Sequence, residues 1–71
     1  MTMFGLTQRQ EDVLLARMTG LGHKTIAARL GISASTSAVH QCRAMRKMGA
    51  RSLLNAKRKW RAELVTNIEG L

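Results

Sequence analysis

The apolar residues of the chain recur at intervals of three and four, which is the spacing of one face of a helix. Two stripes of this kind occupy the first half: Val13, Leu14 and Met18, then Ile26, Ala27 and Leu30. A third lies toward the C-terminus: Leu53, Ala56, Trp60 and Leu64. We expect Phe4 and Leu6, which precede the first stripe, to fold onto the core from an N-terminal arm.

Residues that begin and end helices flank these stripes. Thr7 with Gln10 three residues later is a capping-box pattern, and Ser33 and Ser52 are favourable N-cap residues. Glycines, which stop helices in the left-handed conformation, follow the first three stretches: Gly20, Gly31 and Gly49. The pattern predicts one all-α domain over residues 1–71, with an arm at 1–6 and helices at 7–19, 23–30, 34–48 and 52–68.

Composition narrows the class of protein. A chain of 71 residues without proline is close to the lower size limit for an independent core, which favours a helical bundle with or without extra burial at a dimer interface. Cys42 is the single cysteine, which excludes an intramolecular disulfide and a cysteine-cluster metal site. The separations of His23, His40 and Cys42 do not suit a metal site either, and no cofactor is expected. Four carboxylates and no nucleophile–base constellation argue against an enzyme. Short apolar runs exclude a membrane span, and we expect a cytoplasmic, nucleoid-associated protein.

The distribution of charge points to an anionic partner. The net charge is +8 and the isoelectric point about 11.6. No acidic residue lies between Asp12 and Glu63, whereas every Lys and Arg except Arg9 falls in that interval. Because one sign of charge covers most of the chain, double-stranded DNA is the leading candidate partner.

Three groups of residues form a recognisable pattern around a short helix, a glycine turn and a basic helix: Leu6, Thr7, Arg9, Val13 and Leu14; Gly20, Lys24, Ile26, Ala27, Leu30, Ile32, Ser33 and Thr36; His40 and Met45 to Gly49. This pattern is similar to the LuxR/FixJ-type (GerE-like) helix-turn-helix domain. It implies a four-helix, winged-less helix-turn-helix bundle whose third helix reads DNA. Larger members attach this domain to a sensing domain, and we expect this chain to act alone.

Three positions depart from the family pattern. Ser37 stands where the family usually has Val, Ala38 where it has Lys or Arg, and Gly22 where it has Ser before the second helix. On a helical wheel, one side of the third helix is expected to face the first two helices, and the other to face the DNA major groove. The residues expected to read bases on that outer side are Ala38, Val39, Cys42, Arg43 and Arg46.

These outer residues offer two kinds of base contact. Arg43 is the best candidate for pairing with guanine, while Arg46, later in the helix, reaches either a base or a phosphate. The apolar side chains are suited to thymine methyl groups. The alternative is that Arg43 and Arg46 only form a solvated face.

Four residues match family positions that hold the DNA backbone: Lys24, Ser33, Thr36 and Lys47. Such contacts fix the position of the protein rather than its choice of sequence. For Ser33 and Thr36 the alternative is helix capping alone, and for Lys24 an ordinary surface lysine.

The last helix is expected to pair with its two-fold mate, as the resemblance implies, which predicts a homodimer on a two-fold DNA site. The expected dimer residues are Leu54, Trp60, Leu64 and Val65. The alternative is that Trp60 and Leu64 complete the core of the single chain.

The sequence therefore predicts a small bacterial or phage regulator that binds specific DNA sites and controls transcription. A second hypothesis is a protein-interaction module that pairs with another transcription regulator and inhibits it. A third, membrane-surface binding by the basic last helix, is weakly supported because a single Trp is a poor anchor.

Overall fold

The computed structural model of the protein describes the backbone of residues 3–69 and the side chains of residues 4–66, so Met1 and Thr2 of the predicted arm lie outside it. A 3₁₀ turn, Met3–Gly5, precedes four α-helices: α1 Gln8–Met18, α2 His23–Leu30, α3 Ala34–Met48 and α4 Leu53–Glu69. The described residues contain no strand, which confirms the all-α prediction. None of their helices is long and apolar enough to cross a membrane.

Side-chain caps fix where α1 and α3 begin. At α1, the Gln10 amide N–H donates to Thr7 Oγ1 (3.2 Å) and the Thr7 N–H donates to Gln10 Oε1 (3.1 Å), so both halves of the capping box are present. Ser33 Oγ accepts the Thr36 N–H at the start of α3 (3.0 Å). Thr7 is thus a cap rather than the first helical residue, which shortens the first helix relative to its predicted range.

Left-handed glycines end α2 and α3. Gly31 has φ 68° and Gly49 has φ 69°, a region that other residues enter only at a cost. The N–H of Gly31 donates to the carbonyl of Ala27, which satisfies part of the helix end. These two glycines therefore set where α2 and α3 end and allow the chain to turn into the next helix.

The core lies where α3 packs against α1, α2 and α4. Its buried apolar residues come from the arm and all four helices: Leu6, Val13, Leu14, Ile26, Ala27, Ala44, Met48 and Ala56. The alanines among them let the helices approach closely, as a chain of this size requires. Phe4 adds to this core from the 3₁₀ turn, with its ring centroid 6.2 Å from that of Trp60.

Hydrogen bonds between side chains fix the rotation of α3. Ser37, fully buried on its inner face, places Oγ 2.9 Å from Nδ1 of His23 on α2. One turn further, Arg17 of α1 donates from Nε to Gln41 Oε1 (3.0 Å) and through a second nitrogen to the Leu21 carbonyl (2.9 Å). Buried polar groups require such partners, so these bonds select one orientation of α3 among those that apolar packing alone would permit.

Candidate nucleic-acid interface

The outer face of α3 presents all five of the predicted base-reading side chains to solvent. Ala38, Val39, Cys42, Arg43 and Arg46 are exposed, and Val39 retains 44% of its accessible surface. The opposite face is covered, since its residues Ser37, Ala44 and Met48 are buried. A 15-residue helix with one buried and one exposed face can therefore offer its outer side chains to a partner without unfolding.

A groove runs along one edge of this face and continues onto neighbouring elements. Residues of α2, α3 and the turn after α3 form its walls: His23, Ala38, Gln41, Cys42, Met45, Arg46, Ala50 and Arg51. The predictions from sequence did not include His23 or Arg51 at the interface. His23 joins it only through the packing of α2 on α3, and Arg51 only through the direction of the chain after Gly49, neither of which follows from a local pattern.

Three of the four predicted phosphate ligands lie at the beginnings of helices. Lys24 is exposed in the first turn of α2, and Ser33 and Thr36 are exposed at the start of α3. The two hydroxyl oxygens are 2.8 Å apart, and Ser33 Oγ already accepts the Thr36 N–H. Capping is therefore an observed role of Ser33.

Lys47 lies near the far end of α3. At 1.5 Å per residue, it is separated along the helix from Thr36 by about 16 Å. Its Nζ donates to the Gly5 carbonyl (3.2 Å), and the side chain is exposed. The four phosphate candidates are therefore divided among the start of α2, the start of α3 and the last turn of α3 rather than gathered in one cluster.

The described part of α3 carries only neutral and basic side chains. The acidic residues whose side chains are described lie elsewhere, Glu11 and Asp12 on α1 and Glu63 on α4. Residues 4–66 hold no group of three or more His, Cys, Asp or Glu that could bind a metal ion. The exposed face is therefore suited to an anionic partner.

The four predicted dimer residues fall on different sides of α4. Leu54, Leu64 and Val65 are exposed, with 58%, 46% and 46% of their accessible surface. Trp60 is half-buried and packs on Phe4 and the core cluster, so it contributes to the single chain. Leu54 and Val65 share the outer face of α4 with Ala62 and three cations: Lys57, Arg58 and Arg61.

Residues 5–59 match the GerE family, bacterial regulatory proteins of the luxR family. The chain is 49% identical to the transcriptional regulatory protein FixJ of Azorhizobium caulinodans over 49 residues, which is 69% of its length. It is 42% identical, again over 49 residues, to the C4-dicarboxylate transport transcriptional regulatory protein DctR of Rhodobacter capsulatus. The aligned region spans 23% of FixJ and 25% of DctR. No solved structure matches the chain.

The match includes α1, α2, α3 and the first part of α4, together with the face and groove described above. It confirms the resemblance drawn from the motif residues and the prediction that the chain is not an enzyme, because this is a DNA-binding, non-enzymatic family. The chain belongs to the luxR family of bacterial regulatory proteins and carries the helix-turn-helix domain of that family.

Proposed function

We propose that the protein recognises a specific DNA sequence by inserting α3 into the major groove. The observation that carries this proposal is the division of α3 into a buried face and an exposed face without acidic residues. The major groove of B-DNA admits an α-helix, and each base pair presents a distinct set of donors, acceptors and methyl groups there. An exposed helix face that holds both guanidinium and apolar groups can read the acceptors and the methyl groups among these features.

The outer residues divide into two reading chemistries. Arg43 pairs its planar guanidinium with O6 and N7 of a guanine, and Arg46, one turn later, reaches the neighbouring base or its phosphate. Ala38, Val39 and Cys42 pack against thymine methyl groups. Because Ala38 and Cys42 carry no charge, discrimination between sequences rests on few polar contacts.

The backbone contacts come from both ends of α3 and from the start of α2. Ser33 and Thr36 hold phosphates at the N-terminal end of α3 and Lys24 at that of α2, where helix amide groups favour negative charge. Lys47 exchanges its bond with the Gly5 carbonyl for a phosphate at the other end. These contacts set the position of α3 along the groove.

A homodimer joined through α4 would place two copies of α3 on a two-fold DNA site in the bacterial cytoplasm, at the nucleoid. Leu54 and Val65, which share one face of α4, and Leu64, which lies off that face, support this arrangement because all three stay exposed within the described part of the chain. A two-fold dimer reads half-sites separated by about one helical turn of DNA.

A selected duplex with matched arginine variants tests the proposal. Duplexes are enriched from a random pool by the wild-type protein and titrated by fluorescence anisotropy. Arg43→Ala is expected to weaken binding to the selected duplex by about 1–3 kcal/mol and to relax the preference at one base pair. Arg29→Ala removes the same charge from the exposed side of α2 and is the control. Equal losses for the two variants would contradict base reading by Arg43.

A second function, pairing with another transcription regulator of the family, is supported by the same exposed apolar residues of α4 and by the uncharged positions Ala38 and Cys42. It predicts a tight heteromer and weak binding to every duplex. Sedimentation of the protein mixed with FixJ of Azorhizobium caulinodans, a relative that matches its sequence, distinguishes it from the first proposal. A heteromer that excludes DNA would favour the second function.

A further inference from the structure

The groove beside the reading face brings together donors from three separate parts of the chain. His23 is the first residue of α2, Arg46 belongs to the last turn of α3, and Arg51 lies in the turn before α4. Ala38 and Cys42 of the reading face lie in the same groove. A nucleic-acid strand whose bases contact Ala38 and Cys42 would therefore pass next to two guanidinium groups and an imidazole.

A contact with Ser37 of α3 positions the imidazole of His23. Its hydroxyl is fully buried and lies 2.9 Å from His23 Nδ1. When Ser37 Oγ–H donates to Nδ1, the neutral imidazole carries its proton on Nε2, the nitrogen on the other side of the ring. In that arrangement Nδ1 is engaged by Ser37, and Nε2–H is the ring donor left for the groove that His23 lines.

We propose that His23 and Arg51, bordered by Arg46, form a seat for one backbone phosphate of the DNA strand that α3 reads, and that Ser37 is the positioning residue of this seat. The inference rests on the proposed function and extends it, since neither His23 nor Arg51 was assigned a role there. A phosphate suits the seat because its oxygens accept from several donors at once, and guanidinium groups bind it through paired N–H bonds.

The first test compares two arginine variants with the same change in net charge. Arg51→Ala removes the seat, whereas Arg29→Ala removes an exposed charge from α2 outside the groove. On the selected duplex, Arg51→Ala is expected to weaken binding about 10-fold, as loss of a charged hydrogen bond does. The slope of log K against log salt should fall by about 0.9, the value for one phosphate contact. Equal effects of both variants would overturn the seat.

The second test locates the phosphate on the DNA. Single phosphates of the selected duplex are replaced in turn by uncharged methylphosphonates, and each duplex is titrated with wild type and with Arg51→Ala. The seat predicts one position at which the modification lowers the affinity of the wild-type protein but leaves the affinity of Arg51→Ala unchanged. If Arg51→Ala loses the same additional affinity at every position, the residue contacts no single phosphate.

The third test concerns the positioning role of Ser37. His23→Ala and Ser37→Ala are each expected to weaken DNA binding several-fold, and the double variant no more than His23→Ala alone, because both remove the same Nε2 donor. Independent, additive losses would contradict the role of Ser37. His23→Gln, which keeps an amide donor at the groove, should recover part of the affinity without restoring the bond to Ser37.

A duplex of random sequence at low salt separates failure of the seat from failure of the proposed function. Non-specific binding depends on phosphate contacts, so Arg51→Ala should bind this duplex more weakly than Arg29→Ala even if no sequence is preferred. If Arg51→Ala binds this duplex more weakly than Arg29→Ala, and the wild-type protein prefers no sequence, the proposed function is overturned and the seat is supported. Strong preference for a selected duplex, with no difference between the two arginine variants, would overturn the seat alone.

Discussion

Ser37 is a polar residue in a fully buried position of the core. A hydroxyl in a fully buried position destabilises the fold unless it is bonded, and His23 supplies that bond. The pair therefore links the second helix to the third through one polar contact. The sequence marked Ser37 as a departure from the family's Val, but its partner, fourteen residues away, depends on how α2 crosses α3.

The stability of the chain should reveal this bond directly. His23→Ala leaves the Ser37 hydroxyl buried without that partner, so the free energy of unfolding should fall by about 1–3 kcal/mol. His23→Ala combined with Ser37→Ala removes the unsatisfied group and should recover part of the loss. Urea unfolding followed by circular dichroism measures both variants. A double variant less stable than His23→Ala would show that the hydroxyl has other, stronger partners.

The apolar side chains of the reading face lead to a prediction about the DNA. Deoxyuridine lacks the methyl group of thymidine, so replacing a thymine that Val39 or its neighbours contact removes one buried methyl. At about 0.8 kcal/mol for such a group, each contacted thymine should contribute roughly fourfold to the affinity. Anisotropy titrations of singly substituted duplexes measure this.

Thymines outside the positions protected by the protein serve as controls and should be replaceable without loss. If no thymine in the selected site responds, the outer face of α3 does not read methyl groups.

At the scale of helices, the ends were predicted well because capping is a local matter. Thr7, Gln10 and Ser33 make the bonds that their spacing indicated, and Gly31 and Gly49 adopt the left-handed conformation expected of them. The groove could not be predicted in this way. Arg51 lies outside every helix of the described residues, and its place in the same groove as Arg46 depends on the turn made at Gly49 and on the docking of α4.

Two glycines at helix ends should respond oppositely to substitution. Gly22 has an extended conformation (φ −80°) and makes no side-chain cap for α2, and a Cβ added at this position would meet no atom within 4 Å. Gly22→Ser should therefore stabilise the fold by a few tenths of a kcal/mol or more. Gly49→Ala forces an alanine into the left-handed region and should destabilise it by about 1 kcal/mol.

For a domain of this size, 1 kcal/mol corresponds to a Tm shift of about 4–8 °C, so thermal unfolding resolves both glycine variants. A lower Tm for Gly22→Ser would mean that the added hydroxyl does not cap α2.

At the scale of the whole molecule, charge limits how two copies can meet. The apolar residues Leu54 and Val65 lie on a face of α4 that also carries Lys57, Arg58 and Arg61. A two-fold pairing through this face brings like charges together, and salt screens their repulsion. Self-association of the free protein should therefore strengthen as salt increases, whereas binding to DNA should weaken.

Sedimentation analysis at several salt concentrations tests this dimer. Val65→Lys, which adds a cation to a face that already carries Lys57, Arg58 and Arg61, should abolish self-association without loss of helicity, because Val65 is exposed in the single chain. Ala28→Lys, at an exposed position on α2, is the control. A Val65→Lys protein that still dimerises would exclude this face as the interface.

Selection of a DNA sequence by α3 is the property on which the proposed function depends. It is measured as the affinity of the wild-type protein for its selected duplex and for a scrambled duplex of equal length, at several salt concentrations. We expect a preference of at least about 10³-fold and a salt slope equivalent to several phosphate contacts at about 0.9 each. Equal affinity for both duplexes would rule out sequence selection, however tightly each was bound.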